Sequence, residues 1–268
     1  MSRDADDLVI AKTVQTSPIR TLAEGLKSML VEMNLVFDKD GIRMIAMDNS
    51  RTVLTHMRLY ANKFEQYEYN NSAPKLSVGL NTDHFYRIVK TVTNDDTITF
   101  SVSKAESNHL TITIENGEKG RRIKYRLNLL DCDESDISMP ETVFSARVTM
   151  PSLDFQKICR DMTLLSAKTV DIKNVGNTLT FSCKGPFASQ TVTMGDAASE
   201  MSVAKNESTE IVSGSFSLPH LVLFTKCSNL SNNLEVHMKN DWFIMIRYVI
   251  ANLGDIKLCL MPLPQSTT

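Results

Sequence analysis

Apolar residues fall at i, i+3, i+4 and i+7 in two stretches, Phe85–Val92 and Phe155–Met162, and both stretches carry basic residues at i+2 and i+5. On a helix of 3.6 residues per turn the apolar quartet forms one stripe and the two cations project from the opposite side. Helices that bury one face and present Lys/Arg on the other make a surface suited to phosphates. Amphipathic helices also carry charged outer faces for no reason beyond solvation, so the rest of the chain has to decide.

The same reading of period predicts that the first half opens with a helix. Ser17 reads as its N-cap with Pro18 at the first helical position, and Ile19, Leu22, Ala23, Leu26 and Leu30 share one face. Alternation predicts strands over Met33–Phe37, Ile42–Met47 and Val53–Tyr60, the first two joined by Asp38-Lys39-Asp40-Gly41. A second helix, capped near Asn81 or Thr82, runs to Val92. Strands over Thr97–Ser103, Leu110–Glu115 and Arg122–Leu130 follow, the last two flanking a turn at Asn116-Gly117.

The second half repeats this order. Ser152 caps a helix through Met162 and Leu165. Strands over Thr169–Lys173 and Thr178–Cys183 flank the turn Asn174–Asn177, and Ser189–Met194 and Val212–Ser217 come next. A helix over Leu218–Cys227 precedes strands over Leu234–Lys239, Phe243–Ile250 and Ile256–Leu260. Ser17 and Ser152 lie 135 residues apart, His84 and His220 136 apart. One order at a near-constant offset marks a duplicated domain. The acidic run Asp131-Cys132-Asp133-Glu134-Ser135-Asp136, ending at Pro140, reads as a linker. The expected fold is α+β: two topologically similar domains, 1–126 and 142–268, joined by a connector at 127–141, each with antiparallel sheets and two helices.

Composition narrows the function. Apolar residues are 42% and charged residues 22% of the 268, ordinary for a globular protein, and the net charge is -2, so any positive surface is local. Five scattered cysteines with no CxxC pair fit reduced thiols inside a cell. The polar, acidic N-terminus predicts no signal or transit peptide, and no apolar run approaches the roughly 18 residues of a membrane span. The N-x-S sequons at Asn70, Asn206 and Asn229 carry no weight without a secretory signal.

Catalytic constellations are not found. The only closely spaced glycines, Gly117 and Gly120, belong to a hairpin, so there is neither a P-loop nor a dinucleotide fingerprint. His56, His84, His109, His220 and His237 never approach metal-ligand spacing. His84 and His220, each in a helix's first turn, read as surface histidines. Asp95-Asp96 reads as a solvated turn, and Asp131, Asp133 and Asp136 read as linker charge in preference to a divalent-ion site. No enzymatic activity, cofactor or metal is expected.

In a duplicated fold the four helices are expected on the same side of their sheets. Arg20, Lys27, Arg87, Lys90, Lys157, Arg160 and Lys226 would then share one surface, interrupted by Glu24, Asp83, Asp154 and Asp161. Such a surface, without base-reading amides or stacking aromatics, binds duplex by charge and shape and not by sequence.

Gly41-Ile42-Arg43-Met44-Ile45-Ala46-Met47-Asp48-Asn49-Ser50 resembles the strand and loop after the first hairpin of PCNA-type sliding clamps. So do Asn94-Asp95-Asp96-Thr97-Ile98-Thr99, Ile158-Cys159-Arg160-Asp161, Leu223-Phe224-Thr225-Lys226, and Ile250-Ala251-Asn252-Leu253-Gly254 with Leu260-Met261-Pro262. The matches run in order from about residue 8 to 262. The resemblance implies a homotrimeric ring of six similar domains, helices lining the hole and sheets outside. Such a ring encircles duplex DNA, is placed by a clamp loader, and holds polymerase and other replication and repair factors. It implies a place in the nucleus, or in a viral replication compartment. Carried over, the seven cations above become hole-lining DNA contacts and Leu127–Glu141 the interdomain connector. A hydrophobic pocket for partner peptides maps onto Met47, Leu54, Ile137, Met139, Phe243 and Cys259. Read from the residues alone, Met47 and Leu54 are core positions, and the pocket rests on the resemblance.

Some positions depart from the family pattern. Cys259 stands where members often have an aromatic, which implies a roomier pocket, and Thr21 replaces one expected cation. The loop Asn174–Asn177 has no lysine where some members carry ubiquitin, Lys173 being nearest, and the tail Gln265–Thr268 lacks the usual acidic end. The subunit interface is expected to pair the Gly120–Leu130 strand with the Phe187–Met194 strand of a neighbour. Two further roles share this fold: a subunit of a heterotrimeric checkpoint clamp, and a clamp-fold late-transcription factor. A nuclease would show clustered carboxylates at strand ends, and a monomeric interaction module would not assemble.

Overall fold

Strands that bury every second residue and helices that bury one stripe account for the element order. The computed structural model describes residues 6–131, 137–195, 201–205 and 211–264. The heart of the acidic linker with Asp133 and Asp136, the sequon at Asn206 and the tail Gln265–Thr268 lie outside the described residues.

The first repeat runs β1 (Asp7–Thr13), α1 (Thr16–Met29), β2 (Glu32–Asp38), β3 (Gly41–Met47), β4 (Val53–Tyr60), β5 (Gln66–Tyr69), β6 (Leu76–Asn81), α2 (Thr82–Val89), β7 (Thr97–Ser103), β8 (His109–Asn116) and β9 (Arg121–Asn128). The second runs β10 (Ala146–Pro151), α3 (Ser152–Leu164), β11 (Thr169–Val175), β12 (Thr178–Lys184), β13 (Ser189–Met194), β14 (Ser202–Lys205), β15 (Val212–Ser217), α4 (Leu218–Phe224), β16 (Asn233–Met238), β17 (Ile244–Ile250) and β18 (Gly254–Leu260). The duplication is therefore one for one. The first helices start at Thr16 and Ser152 and the second at Thr82 and Leu218, each 136 residues apart.

Strand order repeats as well. The run β5-β1-β7-β8-β9 of the first repeat matches β14-β10-β16-β17-β18 of the second, and β4-β3-β2-β6 matches β13-β12-β11-β15. Registers are antiparallel, as in Ile112↔Tyr125 between β8 and β9 and Phe181↔Val192 between β12 and β13.

The chain divides into two compact units whose boundaries do not follow the repeats. One comprises Met1–Ala46, His56–Met139 and Val249–Ile256; the other Met47–Thr55, Pro140–Tyr248 and Lys257–Thr268. β4 and β18 are neighbours and contribute to both. In the first unit Tyr60 N donates to Leu253 O at 2.8 Å, and in the second Met261 N donates to Thr52 O at 3.2 Å. Glycine is required where the backbones come this close: a Cβ on Gly254 would lie 1.9 Å from Arg58 O.

In the first unit the α1 stripe Ile19, Leu22, Ala23, Leu26 and Leu30 is buried, and Phe85 of α2 packs on Phe100 with ring centroids 5.9 Å apart. In the second, Phe155, Ile158, Cys159 and Met162 of α3 are buried and Phe155 meets Phe181 at 6.2 Å. Each such large side chain contributes about 1.5–3 kcal/mol by leaving water.

Several sequence expectations are corrected. A strand, β1, precedes the first helix, and β5, β6, β10 and β14 also went unread. Gln15, not Ser17, precedes α1, because Thr16 belongs to the helix and its hydroxyl donates to Thr93 O at 2.9 Å. Likewise Pro151 precedes α3, and Ser152 is its first residue. Asn81 does cap α2, accepting from His84 N at 3.0 Å. α2 ends at Val89 instead of Val92, where the chain tightens into i→i−3 bonds from Thr91 and Val92. α4 ends at Phe224, and a 3₁₀ turn covers Thr225–Leu230.

Asp96 is the other correction. It is no solvated turn residue: in the loop that joins α2 to β7, its side chain is fully buried. It accepts from Thr93 N at 2.8 Å, Asn116 Nδ2 at 2.9 Å and Arg121 Nη2 at 3.3 Å. Burial alone would raise its pKa, but the bonds from Thr93 and Asn116, with Arg121, outweigh it and bring the carboxyl down to about 2. Because the folded value lies below the ordinary 3.8, the stabilisation is full above that value and is lost as pH falls through about 2. Asp96→Ala is expected to lower stability at neutral pH by about 1–3 kcal/mol. It should also flatten the acid loss in that window, as read from urea midpoints across pH. An unchanged midpoint would mean that the three donors find other partners.

Candidate nucleic-acid interface

The buried stripes of the helices place their cations in solvent. Lys27 on α1, Arg87 on α2, Lys90 just after it, Lys157 and Arg160 on α3, and Lys226 in the turn after α4 are all exposed, while Arg20 on α1 is half-buried.

Within the first unit α1 and α2 lie side by side, and their charges interlock. Both oxygens of Asp83 are occupied, Oδ1 by Lys27 Nζ at 2.8 Å and Oδ2 by Arg87 Nε at 2.7 Å. The Lys27 ammonium, ahead of Arg87, holds the Asp83 carboxyl below its ordinary value. Lys27 also stands 4.7 Å from the centroid of the Tyr86 ring, with Lys90 at 6.0 Å. Arg20 instead reaches the far end of α2, where Nη1 donates to Val92 O at 2.7 Å and Nη2 to Asn94 Oδ1 at 3.3 Å.

Within the second unit α3 lies beside α4 and its 3₁₀ turn. Gln156 fills the position of Arg20 in the repeat and does the same task, donating through Nε2 to Thr225 O at 3.3 Å. Arg160 is 3.7 Å from Asp161 Oδ1. Lys157 and Lys226 have no carboxylate within 4.0 Å among the described residues.

The residues assigned to the peptide pocket divide by exposure. Met47 is exposed, Leu54, Ile137 and Met139 are half-buried, and Phe243 and Cys259 are buried. Met47, Leu54, Phe243 and Cys259 belong to the second unit, Ile137 and Met139 to the first. Met47 and Leu54 flank a loop tied by Asp48. Its Oδ1 accepts from Thr52 N and Val53 N, both at 2.8 Å, and Oδ2 accepts from Ser50 Oγ. Although burial would raise it, these bonds keep the Asp48 carboxyl below its usual range. His220 Nε2 stands 4.0 Å from Asp48 Oδ2, and its Nδ1 is 2.8 Å from Ser217 Oγ. Phe243 is packed between Phe144 and Trp242, each ring centroid 5.6 Å away, and Trp242 Nε1 donates to Thr142 Oγ1 at 3.1 Å.

Sequence reasoning missed three of these features. Tyr86 was legible only as a helix position, and Asp48 only as a loop residue. Trp242 was not singled out beside the Phe243 assigned to the pocket, and β17 begins after both, one residue later than the strand expected from Phe243. No cluster of three or more His, Cys, Asp or Glu able to hold a metal occurs among the described residues, and no described helix is long and apolar enough to cross a membrane.

Burial pushes the Cys259 thiol up to about 12, and Cys159 and Cys227 likewise. These thiols therefore stay protonated near pH 8. Native protein is expected to leave all three unlabelled by iodoacetamide until it is unfolded, as read by peptide mapping. Prompt native labelling of Cys259 would mean that the end of β18 opens.

Comparison with known proteins agrees with this architecture. Residues 8–137 match the model of the proliferating cell nuclear antigen N-terminal domain and residues 138–263 that of its C-terminal domain. The chain is 28% identical over 264 residues to the "Probable DNA polymerase sliding clamp 1" of Paramecium bursaria Chlorella virus 1, covering 96% of this chain and 98% of that one. It is 30% identical over 258 residues to the proliferating cell nuclear antigen of Chaetomium thermophilum, covering 94% and 96%. The crystal structure of the Entamoeba histolytica proliferating cellular nuclear antigen superposes with a TM-score of 0.87 at 22% identity, over 96% of this chain and 100% of that one. The fold is the DNA clamp fold, two similar α+β domains, and the chain belongs to the proliferating cell nuclear antigen family.

Proposed function

We propose that this protein is a DNA sliding clamp, a processivity factor that encircles duplex DNA and holds polymerase and other peptide-bearing replication and repair proteins on it. It acts as a scaffold, without chemistry of its own. Its ring is a homotrimer of six repeats placed by a clamp loader, in the nucleus or a viral replication compartment. Arg20, Lys27, Arg87, Lys90, Lys157, Arg160 and Lys226 face the duplex. Met47, Leu54, Ile137, Met139, Phe243 and Cys259 form the partner-peptide pocket beside the connector at 127–141, between domains at 1–126 and 142–268.

The observation that carries the ring is an inequality between matching strands. β18 and β4 are neighbours in the chain, yet their counterparts, β9 and β13, both stand at the end of a strand order. An unpaired edge invites another strand. Pairing β9 of one copy with β13 of the next repeats between chains what β18 and β4 do within one, and heterologous pairing of that kind makes a ring where the rotation between copies closes. The exposed Phe187, just before β13, would be covered by it.

Native mass spectrometry tests this directly. One species at three times 30.0 kDa is expected, retained on closed circular DNA and released when the circle is cut. A monomer at micromolar concentration would overturn the homotrimer and favour a clamp that needs a different partner subunit. Loss from closed and cut circles at equal rates would overturn encirclement.

A further inference from the structure

Resting on that reading, we infer that the two repeats engage the duplex unequally: Lys90, Lys157 and Lys226 supply the phosphate contacts, while Asp83 holds Lys27 and Arg87 away from them and Arg20 serves the fold. Asp83 uses both carboxylate oxygens, one on each cation, at 2.8 and 2.7 Å. The three side chains together present one positive charge, not two. A phosphate that recruited Lys27 or Arg87 would replace a charge-assisted bond already made and leave Asp83 facing the anionic backbone. Arg20 has its donors on Val92 O and Asn94, so moving it toward DNA would unpin α1 from the end of α2.

The second repeat lacks this device. At the same offset of 136 that relates Thr16 to Ser152, Asp83 is matched by Pro219, Lys27 by Thr163 and Arg87 by Leu223. Lys90 is matched by Lys226. These two and Lys157 are exposed, with no carboxylate partner among the described residues. Arg160 is intermediate, its contact to Asp161 being longer, at 3.7 Å, and made to its own neighbour in sequence. The charge available to phosphate therefore leans toward the second repeat, and Asp83 is the residue that sets the imbalance.

The salt dependence of binding to a short end-labelled DNA duplex, followed by fluorescence anisotropy, reads the number of phosphate contacts, about 0.9 in slope for each. Lys157→Ala with Lys226→Ala is expected to make the slope shallower by about two per chain. Asp83→Asn should steepen it by between about one and two, as Lys27 and Arg87 are released. Glu24→Gln, the same charge change at an exposed α1 position, should leave it nearly unchanged. Adding Lys27→Ala and Arg87→Ala to Asp83→Asn should return the slope to that of the parent protein. Asp83→Asn no steeper than Glu24→Gln, or a triple variant shallower than the parent by about two, would overturn the inference and leave the clamp reading intact. A parent protein with no salt-dependent duplex binding would instead remove both.

Discussion

Burying one stripe of each helix dictates where its charges go. Ile19, Leu22 and Leu26 on α1, and Phe155, Ile158 and Met162 on α3, lie in apolar cores, and the cations between them in sequence are turned away from those cores. Everything proposed about DNA depends on this constraint. A chain of net charge -2 has no general attraction to nucleic acid, so the proposed positive surface depends on the core turning these side chains outward on each helix pair. The same packing explains why Arg20 and Gln156 recur at one position of the repeat. Each ties the first helix of its pair to a carbonyl at or beyond the end of the second.

Weak, sequence-blind charge and closure of a ring answer different needs in the proposed clamp. Phosphate contacts that are individually feeble let a protein move along DNA, and topology keeps it there without strong binding. Partner proteins held in a pocket then act at high effective concentration on the same duplex. None of these roles requires a perturbed acid or base poised for catalysis. Among the shifted groups, Asp96 is held in a structural network, and Cys159, Cys227 and Cys259, like Tyr67 and Tyr248, are raised by burial.

Much of the fold was legible because long elements show their period. The stripes of α1 and α3, the strands β2 to β4 and β7 to β9, and the offset between halves all emerged from spacing alone. What escaped has physical causes. β5 and β14 have four residues each, too few to establish alternation, and β1 reads Leu8-Val9-Ile10-Ala11, a continuous apolar run without a face. Ser17 and Ser152 carry capping chemistry but sit one or two residues inside their helices, since neighbouring bonds, not local preference, set the boundaries. The candidate cations were readable by position. That Asp83 sits between two of them was not, because it depends on α1 and α2 being adjacent. Asp96 in Asn94-Asp95-Asp96 looked like any polar turn until Asn116 and Arg121 came to it from a distant hairpin.

The pairing of β4 with β18 also bears on how the chain acquires its structure. Each compact unit is completed by a segment from the other repeat, 47–55 in one case and 249–256 in the other. Neither half of the chain, made alone, holds all the strands of its unit. During synthesis the first repeat therefore waits, with β4 uncovered, until the last strand leaves the ribosome, and closing so long a loop is entropically slow. An exposed strand in that interval is open to pairing with another chain. The exchange of segments between the repeats thus couples the folding of one to the presence of the other, and severing the connector would yield two fragments each lacking a segment of its unit.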